Sequence, residues 1–125
     1  MKKNILLDAA DWDSVLDPIL TQLNGEPLNV HKLMAKHPKL LNAWWNFRNY
    51  SVNGGDLGRR KGELVILRVA SYLNSWYEWA SHVDRSLKCG LSLEEVERVN
   101  NKINEDDWET SEFLLLRSVD ELIQN

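Results

Sequence analysis

Apolar residues recur at three- and four-residue spacings along most of the chain, and short polar or glycine-containing breaks separate the runs. Val, Ile and Thr nowhere gather into an alternating strand, so the pattern predicts an all-α protein. A first helix is expected over Asp13 to Leu23; a start at Asp17 fits equally well, because Pro18 suits a first turn. Asn24-Gly25-Glu26-Pro27 ends it. A second helix is expected to begin with Asn29 as its cap and to run through Val30, Leu33 and Met34 toward His37-Pro38. A third carries Leu40, Leu41, Trp44, Trp45, Phe47 and Tyr50 as far as the loop Asn53-Gly54-Gly55-Asp56.

The densest apolar run follows. Leu64, Val65, Ile66, Leu67, Val69, Ala70 and Leu73 make one helix apolar around much of its circumference, which predicts burial. The chain restarts at Asn74 or Ser75 as a helix reaching about Lys88, and Gly90 suits the position after its end. Trp76, Trp79, Ala80, Val83 and Leu87 share one stripe of that helix and are its expected buried face. Ser92-Leu93-Glu94-Glu95 reads as a capping box ahead of Val96, Val99 and Ile103. Asp107 is expected to cap a last helix carrying Phe113, Leu116, Val119, Leu122 and Ile123.

Composition narrows the possible functions. Fifteen basic and nineteen acidic residues give a formal charge of −4, with both signs interspersed. No stripe of Lys and Arg offers a nucleic-acid surface, and Arg59-Arg60-Lys61 is the densest positive cluster. The apolar run Ile5 to Leu7 is too short for a signal peptide or a spanning helix, so no membrane partner is expected. A single cysteine, Cys89, excludes an intramolecular disulfide and makes a cytoplasmic location the expectation. Six tryptophans supply large apolar surfaces for a core, a cavity or a subunit interface.

Candidate chemistry concentrates in the middle of the chain. Glu78 and His82 are four apart on one helix face, with Ser75 close to their line. A carboxylate beside an imidazole holds one ring nitrogen ready for proton transfer. Glu63, on the preceding helix, reaches the same space if the two helices pack antiparallel. Two carboxylates and a histidine around an aromatic pocket suit enolisation, isomerisation or decarboxylation of a small acid. The same residues also fit a structural reading: Ser75-Trp76-Tyr77-Glu78 as a capping box, His82 as a solvated or satisfied interfacial residue, Glu63 as a first-turn acid. His31 and His37 lie far from this set, and no metal centre is expected.

Several blocks together resemble the carboxymuconolactone decarboxylase-like family, which includes the AhpD-type alkylhydroperoxidases. They are Arg60, Glu63 to Ala70, Tyr77 to Val83 and Gly90 to Val96, with Asn29, His37 to Leu41 and Ala43-Trp44 upstream and Trp108, Leu114-Leu115 and Val119 to Leu122 downstream. The resemblance implies an AhpD-like helical bundle over residues 28–125, preceded by an N-terminal helical extension over residues 1–27. Many relatives continue with further helices, which leaves a short natural form, a truncated product or a fragment as the expectations for this chain. In the family's peroxidase members a glutamate leads to a Cys-x-x-Cys pair and then a histidine. By position Glu63 matches the glutamate, Ser75 and Glu78 the two cysteines, His82 the histidine, and Tyr77 a second histidine. Cys89 lies about 16 Å along the helix from Glu78, so thiol peroxidase activity is not expected.

The decarboxylase side of the family removes CO₂ from a carboxylated lactone without a cofactor. That resemblance implies a catalytic set of Glu63, Glu78 and His82, with His82 transferring the proton. It also implies substrate contacts from Ser75 and Tyr77, a small organic acid or lactone as ligand, and a homo-oligomer. Arg60 and Arg68 are the candidates for binding a carboxylated ligand, with a structural role near their helix ends as the alternative. A non-catalytic scaffold that binds a small molecule is the alternative.

Overall fold

A computed structural model describes residues 5–125 and is all-α, with seven α-helices, four short 3₁₀ turns and no strand among the described residues. The chain divides into two compact units, Met1–Tyr50 and Ser51–Asn125. The division falls inside a helix.

In the first unit, a 3₁₀ turn Ser14–Leu16 leads directly into helix α1, Asp17–Gln22. Of the two expected starts, the α-helix takes Asp17, and Asp13 caps the separate 3₁₀ turn before it. Asp13 accepts the Val15 N–H at 2.9 Å, and Pro18 occupies the first turn of α1. Helix α2, Asn29–Met34, has Leu28 rather than Asn29 at its cap, because His31 performs the capping from inside the helix. Its Nδ1 accepts the Leu28 backbone N–H at 3.2 Å. Helix α3, Pro38–Val52, contributes Leu41 and Trp45 to a core shared with Trp12, Leu16, Ile19 and Ala35. His31 is buried against the edge of Trp45, and the Trp45 indole donates to Gln22 at 2.8 Å. Burial, with Arg48 adding a smaller repulsion, pushes the His31 pKa down to about 4.

The second unit is built around helix α4, Gly58–Tyr72, which packs against α5 (Trp76–Lys88), α6 (Leu93–Val99) and α7 (Thr110–Gln124). Leu64 and Leu67 of α4 meet Leu91, Val96, Val99, Ile103, Trp108 and Leu116 in its core. Two backbone features place α4. Gly54 takes φ 85°, and a Cβ at Gly62 would lie 2.6 Å from the Gly54 Cα, so the helix crosses that turn at glycine-only distance. At the other end Asn74, with φ 53°, reverses the chain into α5.

α4 and α7 run parallel and in register. Arg60 pairs with Glu112 and Arg68 with Asp120, and the Gln124 side-chain amide donates to the Tyr72 hydroxyl. Each pair spans 52 residues of sequence. The capping box before α6 forms with both of its bonds: the Glu95 N–H donates to the Ser92 hydroxyl, and the Ser92 N–H to the Glu95 carboxylate.

Two expectations about these helices are corrected. Asp107 does not cap α7; it belongs to the 3₁₀ turn Glu105–Asp107, which carries the chain to the buried Trp108, and Glu109 precedes the helix. The buried face of α5 is also rotated from its apolar stripe. His82 and Ser86 are its buried residues and Trp79 and Val83 are half-buried, whereas Trp76, Ala80 and Leu87 are exposed. Polar pairing of His82 with α4 competes with the hydrophobic stripe and turns the helix toward it.

Candidate active site

The reversal at Asn74 sets α5 antiparallel to α4 and brings His82 and Arg85, one turn apart, onto Glu63. Glu63 is 3% exposed. A buried carboxylate of this kind requires partners for both oxygens, and it has them. Oε2 lies 2.6 Å from His82 Nδ1, and Oε1 lies 3.1 Å from Arg85 Nε. Arg85 is steadied by a second bond, from Nη2 to the Val52 carbonyl at 3.3 Å.

A carboxylate paired with Arg85 acts as an acceptor, and the contact then favours the tautomer that places the His82 proton on Nδ1 toward Glu63. This leaves Nε2 as the exchangeable position. It lies 3.6 Å from Oε2 of Glu78, beyond ordinary hydrogen-bond length, and the Glu78 side chain is 52% exposed. The four residues form one line, from solvent-facing Glu78 through His82 to buried Glu63 and then Arg85. Such a line can hold an imidazole in one tautomer while its outer nitrogen exchanges protons with a bound molecule or with Glu78.

Glu63, Glu78 and His82 are thus brought together. Ser75 is half-buried at the N-cap of α5 and makes no side-chain capping bond, so the capping-box reading of Ser75 and Glu78 is not realised. Tyr77 is 57% exposed. Neither of these side chains is hydrogen-bonded to the line.

The two arginines expected to meet substrate are otherwise engaged. Arg60 bridges Glu95 and Glu112, whose carboxylates take up its guanidinium edge. Arg68 is buried; it binds Asp120 through Nε at 2.6 Å and Nη2 at 2.9 Å, and it caps the Val99 and Asn101 carbonyls at the end of α6. Their acidic partners on α7 lie far along the sequence, where spacing rules have no reach. The arginine that does touch the site is Arg85, absent from the expected set. Its signal was its position three residues after His82, on the next turn of the same face.

Beside Glu63 and Arg85 lies a cavity of about 330 Å³ lined also by Asn53, Arg59, Lys88 and Cys89. His82 and Glu78 do not line it. Burial, reinforced by the Glu63 charge, pushes the Cys89 pKa up, so the thiol is held in its unreactive protonated form. The described residues contain no group of three or more His, Cys, Asp or Glu able to hold a metal ion. No helix among the described residues is long and apolar enough to cross a membrane.

A family model, the carboxymuconolactone decarboxylase family, matches residues 38–102, just over half of the chain. The match spans Glu63, Ser75, Glu78, His82 and Arg85. No curated protein and no solved structure matches the chain. The single cysteine leaves no intrachain dithiol, so the redox pair of the family's peroxidase branch is missing. With its all-α bundle and no cysteine pair, the chain belongs to the carboxymuconolactone decarboxylase family.

Proposed function

We propose that the chain is a cofactor-independent acid–base lyase or isomerase acting on a small carboxylated lactone or a related organic acid. The observation that carries this reading is the buried Glu63–His82 contact, which leaves His82 Nε2 facing the half-exposed carboxylate of Glu78. In a decarboxylation, the bond between the ring carbon and its carboxylate breaks. CO₂ leaves, and the electron pair passes into an enolate conjugated with the lactone carbonyl. Protonated His82 then delivers the Nε2 proton to carbon, and water, relayed by Glu78, restores it. In an isomerisation, neutral Nε2 first removes a proton from the carbon next to the carbonyl and later returns it to another carbon. Both routes need proton transfer in one defined direction and no redox group.

Glu63 and Arg85 orient the ring, and Ser75 and Tyr77, at the outer end of α5, donate hydrogen bonds to the substrate. Arg60 and Arg68 have no part in this scheme, because their guanidiniums are committed to carboxylates of the fold. The exposed Leu73, Trp76 and Tyr77 around the start of α5 support a homo-oligomer in which a second copy covers them.

The test is a panel of carboxylated lactones and 3-oxo acids incubated with the protein in D₂O. CO₂ release and deuterium incorporation at carbon are followed together. Wild-type protein is expected to catalyse at least one of the two, and His82→Gln to remove it while preserving the helical circular dichroism. Turnover that survives His82→Gln rejects the assignment. No exchange or CO₂ release by the wild-type protein across the panel would favour the non-catalytic binding scaffold.

A further inference from the structure

The cavity beside Glu63 has a charge pattern that the reaction above does not use. We infer that the cavity lined by Arg59, Arg85 and Lys88 is a binding site for a small organic carboxylate, separate from the proton-transfer end of His82.

Position supports the separation. Along α5 the order is Glu78, His82, Arg85, Lys88, so the cavity lies one to two turns beyond His82, on the side away from Glu78. His82 Nε2 points toward Glu78, and the Glu63–Arg85 pair stands between it and the cavity.

Charge identifies the ligand. Three cationic side chains line the space against one carboxylate, Glu63, both of whose oxygens are already directed at His82 and Arg85. Cys89 adds no charge, since its thiol stays protonated. Among the described residues, Lys88 pairs with Asp84, and the two side chains are 73% and 67% exposed. Exposed pairs of this kind are worth little and exchange readily for a better anion. Arg85 is fixed through Nε and Nη2, which presents the rest of its guanidinium in a preset orientation. Arg59, on the first turn of α4, lines this space and also the neighbouring cavity bordered by Glu95 and Glu112, and it makes no ion pair among the described residues. A volume of about 330 Å³ admits an organic acid of a few carbons, at the lower end of small-molecule sites. Asn53 completes the wall.

Calorimetric titration of the full chain with succinate, and separately with inorganic phosphate, at low ionic strength tests the site. The Arg85 Nε–Hε resonance is followed in parallel. Saturable succinate binding that shifts this resonance is expected, weakened about tenfold by Arg59→Gln and by Lys88→Gln. Lys102→Gln, a charge loss on an exposed loop elsewhere, should leave it unchanged. Glu78→Gln, which alters neither the cavity wall nor the partners of Glu63, should bind succinate like the wild-type protein, which separates this site from the proton-transfer end of His82. Absence of saturable succinate binding overturns the inference, as does binding indifferent to both cavity substitutions. Phosphate binding without succinate binding overturns the assignment to a carboxylate. None of these outcomes touches the effect of His82→Gln on turnover.

Discussion

His82 and Glu63 meet inside the α4–α5 hairpin, with Nδ1 of the ring 2.6 Å from Oε2 of the carboxylate. Both residues are buried, and the other carboxylate oxygen is taken by Arg85. The contact sets the tautomer of His82 and leaves only Nε2 for exchange with the outside. It also explains why a helix with a strong apolar stripe turns a histidine inward.

Glu63→Gln tests that contact directly. The amide keeps the shape but removes the charge, so Arg85 loses its ion pair and Nδ1 loses its obligate acceptor. Stability is expected to fall by about 1–3 kcal/mol, measured by urea unfolding. On any substrate the protein turns over, the rate should fall roughly hundredfold or more. Nitrogen NMR supplies a readout that a purely structural role would not move: the His82 ring should lose its single tautomer. A ring that keeps the same tautomer in Glu63→Gln contradicts the orienting role.

A second prediction concerns acid stability of the first unit. His31 has a folded pKa of about 4 against its ordinary 6.5. Between those values the unfolded chain binds a proton that the folded chain does not, so folded stability drops as the pH falls from about 6.5 toward 4. The full effect is about 3 kcal/mol, from the width of that window. Glu95, whose pKa Arg60 holds below its ordinary 4.5, acts in the same direction but only at lower pH. Urea midpoints taken between pH 7 and pH 4.5 should therefore decline in the wild-type protein and decline less in His31→Gln. Equal slopes in the two proteins remove His31 as the cause.

Arg68→Lys should be strongly destabilising despite keeping the charge. An ammonium cannot make the two parallel bonds to Asp120 and also cap both carbonyls at the end of α6. A loss of about 3 kcal/mol is expected, the scale for breaking a buried pair. Thermal unfolding measures it. A substrate-binding arginine would behave in the opposite way, with stability kept and the Michaelis constant raised.

Gly62→Ala separates packing from helix propensity. Alanine is the better helix former by about 1 kcal/mol. Here, however, its Cβ would press on backbone at Gly54, which has no flexible side chain to yield. The variant should be less stable by about 1–3 kcal/mol. A gain in the denaturation midpoint would show that the turn at Gly54 relaxes freely.

Much of this architecture was legible from local patterns. The Ser92–Glu95 capping box, the break at Asn74 and the buried helix around Leu64 and Leu67 all depend on residues within a few positions of one another, and each formed as read. Glu63, Glu78 and His82 were likewise brought together once the hairpin closed. What escaped was set by partners distant in sequence. Arg60 and Arg68 looked available for a ligand because Glu112 and Asp120 lie on another helix. Trp76 and Leu87 looked buried because periodicity weighs apolar surface and cannot see an ion pair that rotates the helix. Arg85 escaped for the same reason: its role depends on Glu63 across the hairpin.

The constant offset between α4 and α7 bears on how this protein can vary in length. Arg60–Glu112, Arg68–Asp120 and Tyr72–Gln124 act like teeth of a rack, aligning the two helices whatever path the chain takes between them. Extra residues at the exposed positions 104–106 would leave every tooth engaged. One residue removed between Glu112 and Asp120 would turn the second tooth about 100° away from the first. Insertions and deletions should therefore accumulate in that connecting segment and be purged from the helix it leads into.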